Sequence, residues 1–278
     1  MIEEIRQKAK ELLAASKVDM VIGYRRSGDG VSTVPAFIDS AQDVDSLVWD
    51  QNCVYNLANY LREFPGKKIG VVAKGCDARA IVVLLQENQL ERENLFIIGV
   101  ECGVTDISEK CAACPRTVSA ICDILIKEKG RKSGAPGNEK DAYAAVEALE
   151  ARRAEERLGL WREEFSRCIR CYACRQVCPM CYCPKCVADQ TMPAWFSKAT
   201  SLEGNFAWNV TRAFHLAGRC VDCGECERAC PVGIPLRDLN KKLEKEAKEL
   251  YKYEAGSSVE AKPLFASYDK DDPKDFIK

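Results

Sequence analysis

Histidine is almost missing from this chain: in 278 residues there is one, His215. A lone imidazole rules out metal sites built on histidine, and with no nucleophile motif present there is no catalytic triad to assemble. Long apolar runs are also missing. No stretch approaches the ~20 apolar residues needed to cross a bilayer, so membrane insertion is not expected. Charge of either sign is not in excess, with 41 basic against 42 acidic residues. That balance, without a basic stripe or helix-turn-helix pattern, argues against nucleic acid or an anionic membrane as the main partner. Neither a Walker A loop nor a G-x-G-x-x-G is present. The N-terminus, Met1-Ile-Glu-Glu-Ile-Arg-Gln-Lys, is charged and starts an amphipathic helix rather than a secretory signal, so the expected location is cytoplasmic.

What the chain has in excess is cysteine, 17 residues. In a reducing compartment that number points to metal rather than to disulfides. Two runs dominate: Cys168-Ile-Arg-Cys171-Tyr-Ala-Cys174-Arg-Gln-Val-Cys178-Pro179 and Cys220-Val-Asp-Cys223-Gly-Glu-Cys226-Glu-Arg-Ala-Cys230-Pro231. Each reads C-x2-C-x2-C-x3-C-P, the spacing of bacterial ferredoxins that carry two 4Fe–4S clusters. Three thiolates on one tight loop grip three corners of a cubane, and the fourth is carried away to the other cluster. The spacing therefore predicts one cluster on Cys168, Cys171, Cys174 and Cys230, and the other on Cys220, Cys223, Cys226 and Cys178. Pro179 and Pro231 redirect the chain after each fourth ligand. A zinc ribbon fits poorly, since one tetrahedral ion does not need so many thiols.

Other cysteines lie outside this scheme. Cys181, Cys183 and Cys186 follow the first run and read either as a further ligand set, completed by a cysteine from elsewhere, or as substitute ligands or unligated core thiols. Cys102, Cys111 and Cys114, with Cys76 on a neighbouring loop, are expected to hold a third cluster; Cys122 competes with Cys76 for the fourth position. Cys76 has a second reading as a reactive thiol at a helix N-terminus. Cys53 reads as a small buried hydrophobe on a helix. His215 reads as a surface residue or as a hydrogen-bond donor to the second run's cluster.

The fold expectation is an α/β N-terminal domain with a mostly parallel sheet, followed by a small α+β dicluster ferredoxin-like domain. Residues 18–22 read as a strand followed by a glycine-rich loop, 23–30. Residues 46–64 carry apolar side chains at helical spacing. Residues 69–73 and 95–100 are continuous apolar runs separated by a helix over 78–88, as a sheet covered on both faces requires. The right-handed crossover places Lys74 to Asp77 and Glu101 to Val104 at one carboxyl edge, where open α/β folds bind ligands. There Lys74, Gly75 and Arg79 suit a phosphate or carboxylate at a helix start. The domains are expected at 1–127, a linker and long helix at 128–167, the dicluster domain at 168–235 with an insertion at 187–219, and a C-terminal helix with an extended tail at 236–278.

Several N-terminal segments together resemble a known family: Val21-Ile-Gly-Tyr24, Pro35-Ala-Phe37, Lys74-Gly-Cys-Asp-Ala-Arg79, Gln86-Glu-Asn-Gln89, Ile98-Gly-Val-x-Cys102 and Cys111-x-x-Cys114. They look like the beta subunits of deazaflavin (coenzyme F420) hydrogenases and formate dehydrogenases, here joined to a dicluster ferredoxin module of the kind also carried by heterodisulfide-reductase-type complexes. Residues 18–125 and 165–235 bear the resemblance. It implies an iron–sulfur electron-transfer subunit of an anaerobic oxidoreductase, working with catalytic and flavin-bearing subunits and with ferredoxin as a further partner. Members of that family use an iron–sulfur cluster and often FAD; FAD is implied by the resemblance alone. The rival expectation is a flavoprotein that itself oxidises or reduces a deazaflavin or nicotinamide.

Overall fold

The computed structural model describes residues 1–102, 111, 114, 119–127, 139–266 and 270. The expected linker at 130–138 lies outside them. Two compact units are formed, one from residues 1–142 with 256–263, the other from 143–255 with the chain from 264 onward.

The first unit opens with helix Ile2–Ala14 (α1), which buries Ile5, Ala9 and Leu12 on one stripe at helical spacing. Strands Met20–Arg26 (β1), Thr33–Ile38 (β2) and Ile69–Ala73 (β3) follow, then helix Gly75–Gln86 (α2) and strands Leu95–Val100 (β4) and Ile124–Ile126 (β5). The sheet order is β2-β1-β3-β4-β5. β1, β3, β4 and β5 run parallel, and β2 lies antiparallel on the edge. Val71 sits opposite Ile97 and Val72 opposite Ile98. Val21, Val72, Ile98 and Val100 join the α1 stripe in one core, while the alternate residues Ile22, Val71 and Ile97 are equally buried. Both sheet faces are therefore covered, which is why these strands read as unbroken apolar runs.

Local bonding overrides three sequence expectations here. β1 runs through Gly23 to Arg26, so the glycine-rich loop shrinks to a hairpin turn into β2. Asp29 Oδ1 closes that turn by accepting from the backbone N–H of Val31 and Ser32. The helix expected over 46–64 does not form. Val48 N–H donates instead to the Tyr24 carbonyl, and Asp50 accepts from Asn52 N–H. Only Leu57–Glu63 coils, as a 3-10 helix started by the Asn56 side chain. The apolar spacing of that segment is used for packing, since Leu47, Leu57 and Leu61 are all buried. Lastly, part of the expected free tail is bound: Gln86 Nε2 donates to the carbonyls of Ser258 (2.7 Å) and Ala261 (2.6 Å).

The second unit is built from helices Glu139–Glu150 (α3), Ala154–Ser166 (α4), Ala173–Gln176 (α5), Leu202–His215 (α6), Glu225–Arg228 (α7) and Leu236–Tyr251 (α8). The single helix expected at 141–167 is broken at 151–153, where Glu156 accepts from Arg153 N–H and caps a new start. Phe165 stacks on Trp161 and meets Phe206 edge-on, with Ile234 and Leu236 completing the core. Among the described residues this unit holds no strand, where an α+β module was expected; the cysteine runs use left-handed turns in place of extended backbone. No helix of the described residues is long and apolar enough to cross a membrane.

Candidate metal centres

Each cysteine run curls because two of its residues take left-handed backbone. They are Arg170 (φ 55°) and Tyr172 (φ 61°) in the first run, and Asp222 (φ 55°) and Gly224 (φ 77°) in the second. Such residues at alternate positions turn the intervening thiols to one side of the loop. A single helical turn follows in each run, α5 and α7, and these two turns pack against each other. The fourth cysteine of each run is thereby sent across to the other.

The outcome is a pair of thiol-lined cavities. One is lined by Cys168, Cys171, Cys174 and Cys230. The other is lined by Cys178, Cys220, Cys223 and Cys226. Among the described residues no three His, Cys, Asp or Glu side chains close on a single ion. The thiols stand around a space instead. Backbone and side-chain N–H groups also reach the sulfurs: Ile234 N to Cys230 Sγ at 3.4 Å, and Asn240 Nδ2 to Cys226 Sγ at 3.7 Å.

Burial pushes the Cys174 and Cys226 thiols up to about 11, and those of Cys220 and Cys223 further. Thiolates at such places require a cation beside them. The thiols of Cys174 and Cys226, one from each cavity, lie within electrostatic reach of each other.

Buried charges surround the second cavity. Asp222 pairs with Arg237 (2.6 Å) and Lys241 (3.0 Å), and Lys241 in turn with Glu244 (3.0 Å). Tyr143 Oη donates to Glu244 at 3.4 Å. At the first cavity the position equivalent to Asp222 is Arg170, which donates to the carbonyls of Gly204 (2.9 Å) and Ser197 (3.2 Å) and to Tyr172 Oη (3.1 Å). Helix α6 adds Asn205, whose Nδ2 holds the Cys168 carbonyl at 2.7 Å, and Arg212, whose Nη2 holds the Cys174 carbonyl at 2.8 Å. Sequence reading treated residues 187–219 as a wrapping insertion and missed these groups. The signal was available: Asn205, Asn209 and Arg212 recur at helical spacing on the buried side of an otherwise aromatic and apolar helix.

The three thiols after the first run differ in surroundings. Cys181 shares a hydrogen bond with Cys178 that lowers its own pKa and, with burial, raises that of Cys178. Cys183 is exposed, and Cys186 interacts with Arg175. His215 ends α6 on the surface.

At the carboxyl edge of the first unit, Cys76 sits in the first turn of α2 and Cys102 two residues beyond β4. Both lie close enough to act on Lys74. Burial opposes the Lys74 cation, but Asp77, Cys76 and Cys102 together raise its pKa. Its Nζ donates to the Tyr55 carbonyl (2.7 Å) and to Tyr24 Oη, and pairs with Asp77 (3.1 Å). The expected anion cradle at this helix start is thus already served by a carboxylate of the chain: Asp77 also accepts from Lys74 N–H and Leu57 N–H. Arg79 is buried farther along α2, against Gly256. Cys114 N–H donates to the Cys111 carbonyl at 3.2 Å, and the residues between and around them lie outside the described set. Cys122 packs on β4, where a Cβ at Gly99 would meet its Sγ at 3.3 Å. Cys53 is buried as expected, though in a turn and not on a helix.

Residues 167–235 match the 4Fe-4S dicluster domain family. Over 92% of its length the chain is similar, at 23% identity, to the F420-dependent formate dehydrogenase subunit beta of Methanocaldococcus jannaschii, covering 92% of that protein. It is 24% identical to the F420-dependent formate dehydrogenase 1 subunit beta of Methanococcus maripaludis, over 91% of this chain and 90% of that one.

Proposed function

We propose that this protein is the iron–sulfur electron-transfer subunit of an anaerobic oxidoreductase of the formate dehydrogenase type. It would work beside catalytic and flavin-bearing subunits and pass single electrons along its length. The observation that carries this reading is the sorting of eight cysteines into two cavities, each taking three thiols from one run and the fourth from the other. In this reading Cys168, Cys171, Cys174 and Cys230 hold one 4Fe–4S cluster, and Cys220, Cys223, Cys226 and Cys178 hold the other. Such clusters supply one-electron redox chemistry at potentials tuned by charge, hydrogen bonding and exposure. The chain's own part is to supply thiolates, exclude water from the inner cavity and bring Cys174 near Cys226. Cys76, Cys102, Cys111 and Cys114 are the candidates for a third centre, supported by the meeting of Cys76 and Cys102 at Lys74.

Protein purified without air and reduced with dithionite should bleach in the visible and reoxidise on adding a one-electron acceptor. A chain that stays unreduced contradicts the reading. The names of the relatives favour a second reading, in which this chain itself exchanges electrons with the deazaflavin F420 at the first unit's sheet edge. Flavin extraction and F420 reduction by the isolated chain separate the two. Stoichiometric flavin with F420 turnover supports the second.

A further inference from the structure

We propose that Arg212 sets the reduction potential of the centre in the cavity of Cys178, Cys220, Cys223 and Cys226, by donating its Nε–H to a sulfur there. This rests on the cluster reading above and assigns a role to a residue outside both cysteine runs.

Arg212 is only 5% exposed and lines that cavity. Its Nη2 is fixed by the Cys174 carbonyl at 2.8 Å, which anchors the plane of the guanidinium between the two cysteine sets. Its Nε is fully buried and has no hydrogen-bond partner in the protein. Arg237 and Lys241 beside the same cavity are neutralised by Asp222 and Glu244, and Arg228 by Glu225. Arg212 has no carboxylate partner among the described residues; a hydrogen bond joins it to the Cys181 thiol, and the sulfurs of Cys178, Cys226 and Cys174 lie around it.

A buried guanidinium with an unmade Nε–H bond and no carboxylate beside it is costly unless an anion completes it. A cluster carried on four thiolates supplies both the negative charge and the acceptor. A cation and an N–H donor aimed at sulfur stabilise the form with one more electron, so the potential rises. The step is uptake of one electron from the external reductant, with no proton or bond exchanged.

The test is an anaerobic redox titration of the full chain, followed by electron paramagnetic resonance. The second centre's signal is identified as the one altered by Cys223→Ser. In Arg212→Gln the reduced-to-oxidised ratio of that centre, at the wild-type midpoint, should fall about tenfold, a 59 mV shift for one electron. Arg212→Lys keeps the charge but has no Nε–H, and the ratio should fall less, by about threefold. An unchanged ratio in either variant with its iron retained overturns the proposal.

Where a variant does not hold its iron, the unsubstituted chain carries the test. With arginine labelled with 15N at Nε, pulsed resonance should show a nitrogen coupled to the second centre, and absence of that coupling overturns the proposal. Persistence of the coupling in an iron-loaded Arg212→Lys chain overturns it too. A wild-type chain without reducible iron overturns the cluster reading itself, a result distinct from a loaded chain that is indifferent to Arg212.

Discussion

Cys178, from the first cysteine run, and Cys223, from the second, line the same cavity and lie within each other's electrostatic reach. The other three cysteines of its run, Cys168, Cys171 and Cys174, line the other cavity. If these cavities hold the proposed clusters, the ligand sets cross, and damage to one run should appear in the centre named for the other. Cys178→Ala is expected to disturb the signal that Cys223→Ser disturbs, leaving the signal that depends on Cys171 intact. Loss of the Cys171-dependent signal instead would show that each run keeps its own fourth thiol.

The grouping of the thiols around two cavities follows the C-x2-C-x2-C-x3-C-P spacing, which curls each run into a tight loop. β3 and β4 were legible in the sequence, since a strand buried on both faces leaves an unbroken apolar run. The segment 46–64 was not. Its helical spacing comes from packing Leu47, Leu57 and Leu61 on the sheet while Tyr24, Asp50 and Asn56 hold its backbone in turns. β2 was hidden because Thr33 to Ile38 is short, contains Pro35 and forms an edge strand, where a missing N–H is tolerated. The spacing of Asn205, Asn209 and Arg212 marks a buried polar stripe on α6, but which thiols that stripe meets depends on packing between distant segments.

The ion network beside the second cavity should be sensitive to single changes. Lys241 is 2% exposed and joins Asp222 to Glu244. Lys241→Met leaves the Glu244 carboxylate buried without the Lys241 ammonium, and breaking a buried pair in this way costs about 3–5 kcal/mol. Denaturant unfolding of the anaerobic, iron-loaded protein should show that loss, and the double change Lys241→Met with Glu244→Leu should recover part of it.

Gly256 permits the chain to return to α2. Its φ is +72°, and a Cβ there would lie 2.4 Å from the Arg79 carbonyl oxygen. Gly256→Val cannot occupy that place without moving backbone, at a cost of about 1–3 kcal/mol. The expected result is release of residues 256–263 from Gln86, read as faster cleavage after Glu260 by a glutamate-specific protease with the iron content unchanged. Equal cleavage rates in both proteins would contradict the assigned contact.

Glu150 offers a pH handle. Hydrogen bonds from Lys242 and then Lys245 hold its carboxyl below the ordinary 4.5. A pKa lower in the folded than in the unfolded state means that the stabilisation is complete above about 4.5 and fades as pH falls through the folded value. The pair is partly solvated, so the contribution is small. Glu150→Gln should lower stability slightly at neutral pH and make no difference at the acid end, as measured by unfolding midpoints across pH. A stability loss equal at both ends would place the effect in packing rather than charge.

Iron and acid-labile sulfide, counted together on chain purified under strict anaerobiosis, test the central claim most directly. Two interleaved cubanes predict about eight irons and about eight sulfides per chain, rising to about twelve of each if Cys76, Cys102, Cys111 and Cys114 hold a third. Zinc in place of iron, or iron without sulfide, would contradict the account.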